Sequence, residues 1–160
     1  MSKIAVIYYS RSGNTRQMAE LVAEGAKEDG VDVDLKKVEE FDLDTLADYD
    51  GIIIGSPTYY GNMAAGIKQF FDESVRFQGD LEGKVGAAFS SSANVGGGNE
   101  STILGILKAM LVHGMIIQGC PLGDHFGPIS VGAPDERSTP QCRQLGKKVA
   151  LLVKILHGDK

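Results

Sequence analysis

Ser10-Arg11-Ser12-Gly13-Asn14-Thr15 follows directly on an apolar run, Ile4 to Tyr9, and leads into a helical pattern that starts near Arg16. A glycine- and hydroxyl-rich loop between a strand end and a helix start suits an anion. The first N–H groups of a helix lack intrahelical acceptors, and the aligned peptide dipoles place roughly half a positive charge there. A phosphate at that end collects those amides, together with the hydroxyls of Ser10, Ser12 and Thr15. What is missing narrows the kind of phosphate. A nucleoside triphosphate loop needs Gly-Lys-Ser/Thr, and there is no such lysine here. A dinucleotide loop needs G-x-G-x-x-G, and only Gly13 is present; Asp34 sits near the spacing of a ribose-binding acid, but without the glycines to accompany it. A hydroxyl-rich loop without an obligate lysine suits a terminal phosphomonoester. The alternative is a plain strand–turn–helix corner capped by Ser12 or Asn14.

The elements that must position this loop are read from hydrophobic periodicity. Strands are expected over residues 3–9, 31–35, 51–55, 84–89 and 115–117. Helices are expected over 14–29, 63–75, 99–112 and 136–156, with a short helical piece at 43–47 and Gly30 as the stop of the first helix. The stretch from 119 to 134, rich in Gly and Pro, is expected to be a long loop. Strand–helix alternation repeated five times predicts a three-layer α/β fold. Its five-stranded parallel sheet is doubly wound, because parallel neighbours need right-handed crossovers. Residues 1–160 are expected to form one domain, since no repeat or linker interrupts the pattern.

In such a sheet, ligands bind beyond the carboxyl ends of the strands where the winding switches direction. Two further strand ends carry unusual segments: Gly55-Ser56-Pro57-Thr58-Tyr59-Tyr60-Gly61-Asn62-Met63, and Ser90-Ser91-Ser92-Ala93-Asn94-Val95-Gly96-Gly97-Gly98-Asn99. Small residues let a planar ligand approach the backbone, and the tyrosines supply flat surface beside it. Taken singly, the first segment also reads as a helix entry with buried tyrosines, and the second as a surface loop. Together with the phosphate loop they describe a phosphorylated, flat molecule with polar edges, of the size of a flavin mononucleotide.

Composition sets outer limits. A net charge of −5 disfavours nucleic acid and anionic membranes as partners. Cys120 and Cys142 are too few for a zinc framework, so no metal site is expected, and they fit a reducing cytoplasm. No apolar run is long enough to insert in a bilayer. His113, at the end of a predicted helix, is a candidate polar contact to a ligand or a cation facing the helix dipole. His125 lies in a glycine-flanked segment with a mobile look.

The Ser10–Thr15 loop resembles the phosphate loop of flavodoxins. Pro57–Met63, Ser91-Ser92 with Gly96-Gly97-Gly98, and His113-Gly114-Met115 are more specifically similar to WrbA-type NAD(P)H:quinone oxidoreductases. The resemblance covers most of the chain. It implies a flavodoxin-like sheet of order 2-1-3-4-5 and FMN as cofactor. Ser10 to Thr15 would hold the phosphate, Pro57 to Asn62 would line one side of the ring system, and backbone N–H groups of Ser91 to Gly97 would approach its pyrimidine edge. Tyr59 and His113 are the implied catalytic contacts. The implied reaction is ping-pong hydride transfer from NAD(P)H through FMN to a quinone-like acceptor, in a homodimer or homotetramer. A carrier flavodoxin, passing electrons to a redox protein without a substrate site of its own, is the alternative.

Overall fold

A computed structural model describes residues 1–158 of the chain. In chain order the elements are β1 (Lys3–Tyr8), α1 (Asn14–Lys27), β2 (Asp32–Lys37), β3 (Gly51–Tyr59), β4 (Asn62–Met63), α2 (Ala65–Glu73), β5 (Val85–Ser92), α3 (Asn99–Val112), β6 (Ile116–Ile117), β7 (Ile129–Val131) and α4 (Ser138–His157). Short 3-10 turns occupy Val38–Glu40, Leu43–Asp48 and Ser74–Phe77.

The parallel strands run in the order β2-β1-β3-β5-β6, the expected doubly wound arrangement. Period-two alternation sends the side chains of β1 to both faces. Ile4, Val6 and Tyr8 join a core with Met18, Val22, Phe89, Val149 and Val153 beneath α1 and α4. Ala5 and Ile7 join a second core with Ile54, Ile67, Phe70, Ile103 and Met110 beneath α2 and α3. Burial on both faces explains why β1, β3 and β5 read as continuous apolar runs, while the edge strand β2 alternates.

The expected fifth strand is split. β6 pairs Val85 and Gly86, while β7 pairs Ser90 to Ser92 further along the same edge of β5. The expected long loop therefore contains a strand. Residues 118–128 bulge out between the two pieces and are fastened. Asp124 accepts from Ile129 N (2.8 Å) and from Arg137 Nη1 (2.9 and 3.1 Å), while Gln141 Oε1 accepts from Asp124 N (2.7 Å). Within the segment His125 is exposed, its Nδ1 meets Cys120 O at 2.8 Å, and Cys120 N donates to His125 O. Burial pushes the Cys142 thiol up to about 12, which keeps it protonated inside the α1–α4 core.

The Asp34 carboxylate is committed to partners within the fold. It accepts from Tyr49 Oη (2.7 Å) and pairs with Lys3 Nζ (3.0 Å), whose cation lies 4.7 Å from the Tyr49 ring centre. The Tyr49 hydrogen bond, then Lys3, hold this carboxyl below its ordinary range. A depressed carboxyl stabilises the fold above its unfolded value of about 3.9, and the contribution is lost as pH falls through the lower folded value. Asp34→Asn is therefore expected to be less stable than the parent at neutral pH, with the gap closing on acidification below about pH 4. Urea midpoints at pH 7 and pH 3 check this; a gap that stays constant would refute it.

Candidate functional site

β1, β3 and β5 end side by side, and the loops that leave them are tied to one another. The phosphate-type loop begins at Ser10. Its Oγ accepts from Gly13 N (3.1 Å) and Arg16 N (3.3 Å), so both lone-pair directions are filled and the hydroxyl hydrogen is left over. Gly13 sits at the start of α1 with φ 99° and no side-chain cap, and a Cβ there would meet no protein atom within 4 Å. Neither Ser12 nor Asn14 caps the helix; the side-chain oxygen that accepts from its first turn is Ser10 Oγ, through Arg16 N. The first intrahelical bond runs from Gln17 N to Gly13 O, leaving the amides of Asn14 and Thr15 without a carbonyl one turn earlier. Arg16 is engaged with Glu20 at 2.8 Å, and Arg11 is exposed.

The second segment is an extension of β3 rather than a loop. β3 continues to Tyr59 and turns back through a two-residue hairpin into β4, pairing Thr58 with Met63 and Tyr59 with Asn62. Tyr60 (φ 50°) and Gly61 (φ 73°) both take the left-handed conformation that such a turn requires. Tyr60 is fully exposed at the tip. Tyr59 is partly exposed and stands edge-on to Tyr9, with ring centres 6.2 Å apart. Pro57 and Thr58 are half-buried on the strand behind them. Ser56 Oγ accepts from Ala64 N (2.9 Å) and closes the hairpin base.

The third segment also begins as strand. Ser90, Ser91 and Ser92 are the buried end of β5, and only residues 93–98 form the loop. Each serine hydroxyl has a separate tie. Ser90 Oγ meets Thr58 Oγ1 (2.9 Å) and donates to Ser56 O (2.8 Å); Ser91 Oγ meets Thr15 Oγ1 (2.8 Å); Ser92 Oγ donates to Asn94 O and accepts from Asn99 Nδ2. Gly97 N donates to Asn94 O in a tight turn, so this amide is spent inside the loop. Ala93, Asn94, Val95 and Gly96 are exposed. Loops two and three touch: Ser101 Oγ donates to Gly61 O (2.8 Å), and a Cβ on Gly98 (φ 105°) would lie 2.6 Å from Gly61 Cα. Ser56, Ser90 and Asn99, at the margins of the two segments, are structural members of the site, and so is Ser101, which lies beyond them. The signal for the first three is the run of hydroxyls and amides at the strand ends, where side chains tie one segment to the next.

His113 is not brought to this edge within the chain. α3 runs back from Gly98, beside Gly61, to Gly114, whose O accepts from Gly83 N at the opposite end of the sheet. A helix of this length spans about 21 Å. His113 Nε2 lies 2.8 Å from Ser74 Oγ, and that hydroxyl donates to Phe71 O at 2.7 Å. The imidazole hydrogen is therefore on Nε2, while Nδ1 is buried without a partner. Burial lowers the histidine's pKa and keeps it neutral. The ring lines a groove of about 720 Å³ between α2 and α3, with Phe71, Val75, Ala109 and Val112. The expected catalytic pair is thus divided: Tyr59 stands at the loop cluster and His113 does not.

The donor set at the three loops fits FMN. Helix-end amides without carbonyl partners and a Ser10 hydroxyl with its hydrogen uncommitted gather at the start of α1, where a Cβ on Gly13 would meet no protein atom within 4 Å. Beside it lie an aromatic hairpin and a loop of small residues, the surroundings a flat heterocycle needs.

Residues 6–102 match the family profile described as Flavodoxin. The chain is 38% identical to a protein of Archaeoglobus fulgidus named NAD(P)H dehydrogenase (quinone), over 94% of this chain and 96% of the relative. It is 40% identical to a flavodoxin of Aquifex aeolicus, over 97% of this chain and 89% of that one. Among solved structures, a flavodoxin, WrbA-like protein from Agrobacterium tumefaciens superposes with a TM-score of 0.84 at 28% identity, covering 98% and 99% of the two chains.

Proposed function

We infer from membership of the flavodoxin family, to which this chain belongs, that it is an FMN-binding redox protein working as an NAD(P)H:quinone reductase. Bound FMN supplies the exchange of reducing equivalents. The chain supplies binding and access. Amides at the start of α1 and the hydroxyl of Ser10 hold the phosphate end, and the Tyr59-Tyr60 hairpin covers one flank of the ring system. The observation that carries the reductase reading is the third loop. Residues 93–98 are Ala, Asn, Val and three glycines, with no aromatic side chain to cover the opposite flank. That opening is room for a nicotinamide or a quinone ring, in keeping with the name of the Archaeoglobus fulgidus relative.

The relatives named flavodoxin favour a second reading, a carrier that passes electrons to another protein. Anaerobic mixing of the FMN-loaded protein with NADH or NADPH separates the two. The reductase is expected to lose its absorbance near 450 nm rapidly with one nucleotide and to regain it on addition of benzoquinone. Failure of both nucleotides, with bleaching by dithionite alone, overturns the reductase in favour of the carrier.

A further inference from the structure

The Thr15–Ser91 contact joins the phosphate loop to the end of β5, 76 positions away in sequence. Both residues are almost fully buried, at 2% and 4% exposure. Two hydroxyls at 2.8 Å share one hydrogen, so the other hydrogen must go elsewhere. Two arrangements exist. If Thr15 donates to Ser91, the Ser91 hydrogen is left in a buried position with no acceptor, which is costly. If Ser91 donates to Thr15, the spare hydrogen belongs to Thr15, which lies in the first turn of α1 beside the unpaired amides of Asn14 and Thr15. With an anion at that helix end, only the second arrangement leaves no buried donor unsatisfied.

We infer that Ser91 is a positioning residue that acts through Thr15: its hydroxyl donates to Thr15 Oγ1 and turns the threonine hydrogen toward the phosphate. This rests on the FMN reading above and differs from the sequence expectation, which set Ser91 against the pyrimidine edge of the ring. Chained donors polarise one another, so the Thr15 hydroxyl is a better donor to an anion with Ser91 behind it than without. Ser91 is then specific for the phosphorylated form of the ligand although it does not touch it.

The test compares FMN with riboflavin, which shares the ring and lacks the phosphate. Affinities are measured by flavin fluorescence quenching on the apoprotein. Ser91→Ala is expected to weaken FMN about five- to tenfold, up to the worth of one hydrogen bond to a charged group, and to leave riboflavin within about twofold. Ser91→Cys, close in size and a much poorer donor, is the second variant and is expected to show the same selective loss. In a Thr15→Val background, Ser91→Ala is expected to add less than about a twofold change, because the relay is already broken. Equal losses for FMN and riboflavin would put Ser91 at the ring and overturn the inference, as would losses that multiply independently in the double variant. A parent protein that binds neither ligand overturns the FMN reading itself, and this inference with it.

Discussion

Gly146→Ala is expected to destabilise the protein by about 3 kcal/mol, the upper end of the range for overpacking a close contact. Gly146 lies where α4 crosses α1. A Cβ built there would stand 2.0 Å from Val22 O and 2.6 Å from Ala26 N; reciprocally, a Cβ on Gly25 would stand 2.0 Å from Arg143 O. Both obstacles are backbone, so no rotamer change relieves them and the helices must separate. Helix propensity alone predicts the opposite sign, since alanine in place of an interior glycine favours a helix by about 1 kcal/mol. Gly105→Ala in α3 is the control. Its Cβ would meet only the side-chain ends of Asn62 and Met63 at 3.3 Å, so it is expected to be neutral or mildly stabilising. Urea denaturation of the two variants reads the difference, and a Gly146→Ala midpoint at or above that of the parent would refute the crossing argument. On the proposed function the consequence reaches the ligand, because the amides at the start of α1 would hold the phosphate: Gly146→Ala is expected to weaken FMN as well.

The close approach of α1 and α4 is one of the features the sequence does not announce. Gly25 and Gly146 look like ordinary helix glycines until the two helices are placed together. The strand–helix alternation is legible because β1, β3 and β5 are buried on both faces and read as apolar runs, while the strand order comes with the flavodoxin resemblance. The loop after β1 is legible for a local reason, hydroxyls and a glycine at a strand-to-helix corner. β7 is not. Ile129-Ser130-Val131 is three residues flanked by glycine and proline, and it is a strand because the edge of β5 beyond Phe89 needs a partner. For the same reason Ser90 to Ser92, with little apolar character, prolong β5: β3 on one side and β7 on the other take up their backbone groups. The position of His113 is equally non-local. Motif reading groups it with the ring-binding residues, whereas the direction and length of α3 carry it to the other end of the sheet.

Removing the two hydroxyls of the phosphate loop is expected to have the largest effect on binding. Ser10 Oγ already accepts two amide hydrogens, from Gly13 and Arg16, so its own hydrogen is available only to an acceptor outside the loop. Thr15 Oγ1 is in the same condition when Ser91 donates to it. An anion placed among them receives two charge-assisted hydrogen bonds, each worth about 1.5–3 kcal/mol. At the lower bound the pair amounts to about 3 kcal/mol, a little more than a hundredfold in affinity. The Ser10→Ala, Thr15→Val double variant is therefore expected to bind FMN at least about a hundredfold more weakly, with riboflavin changed by less than about threefold. The helix-end amides remain in the variant, so a residual preference for FMN is expected to survive. Raising the salt concentration should erode that residue, because a dipole at an exposed helix end is screened. If FMN and riboflavin weaken alike, the hydroxyls serve the ring or the fold rather than the phosphate, and the cradle at the end of β1 is not where the anion binds.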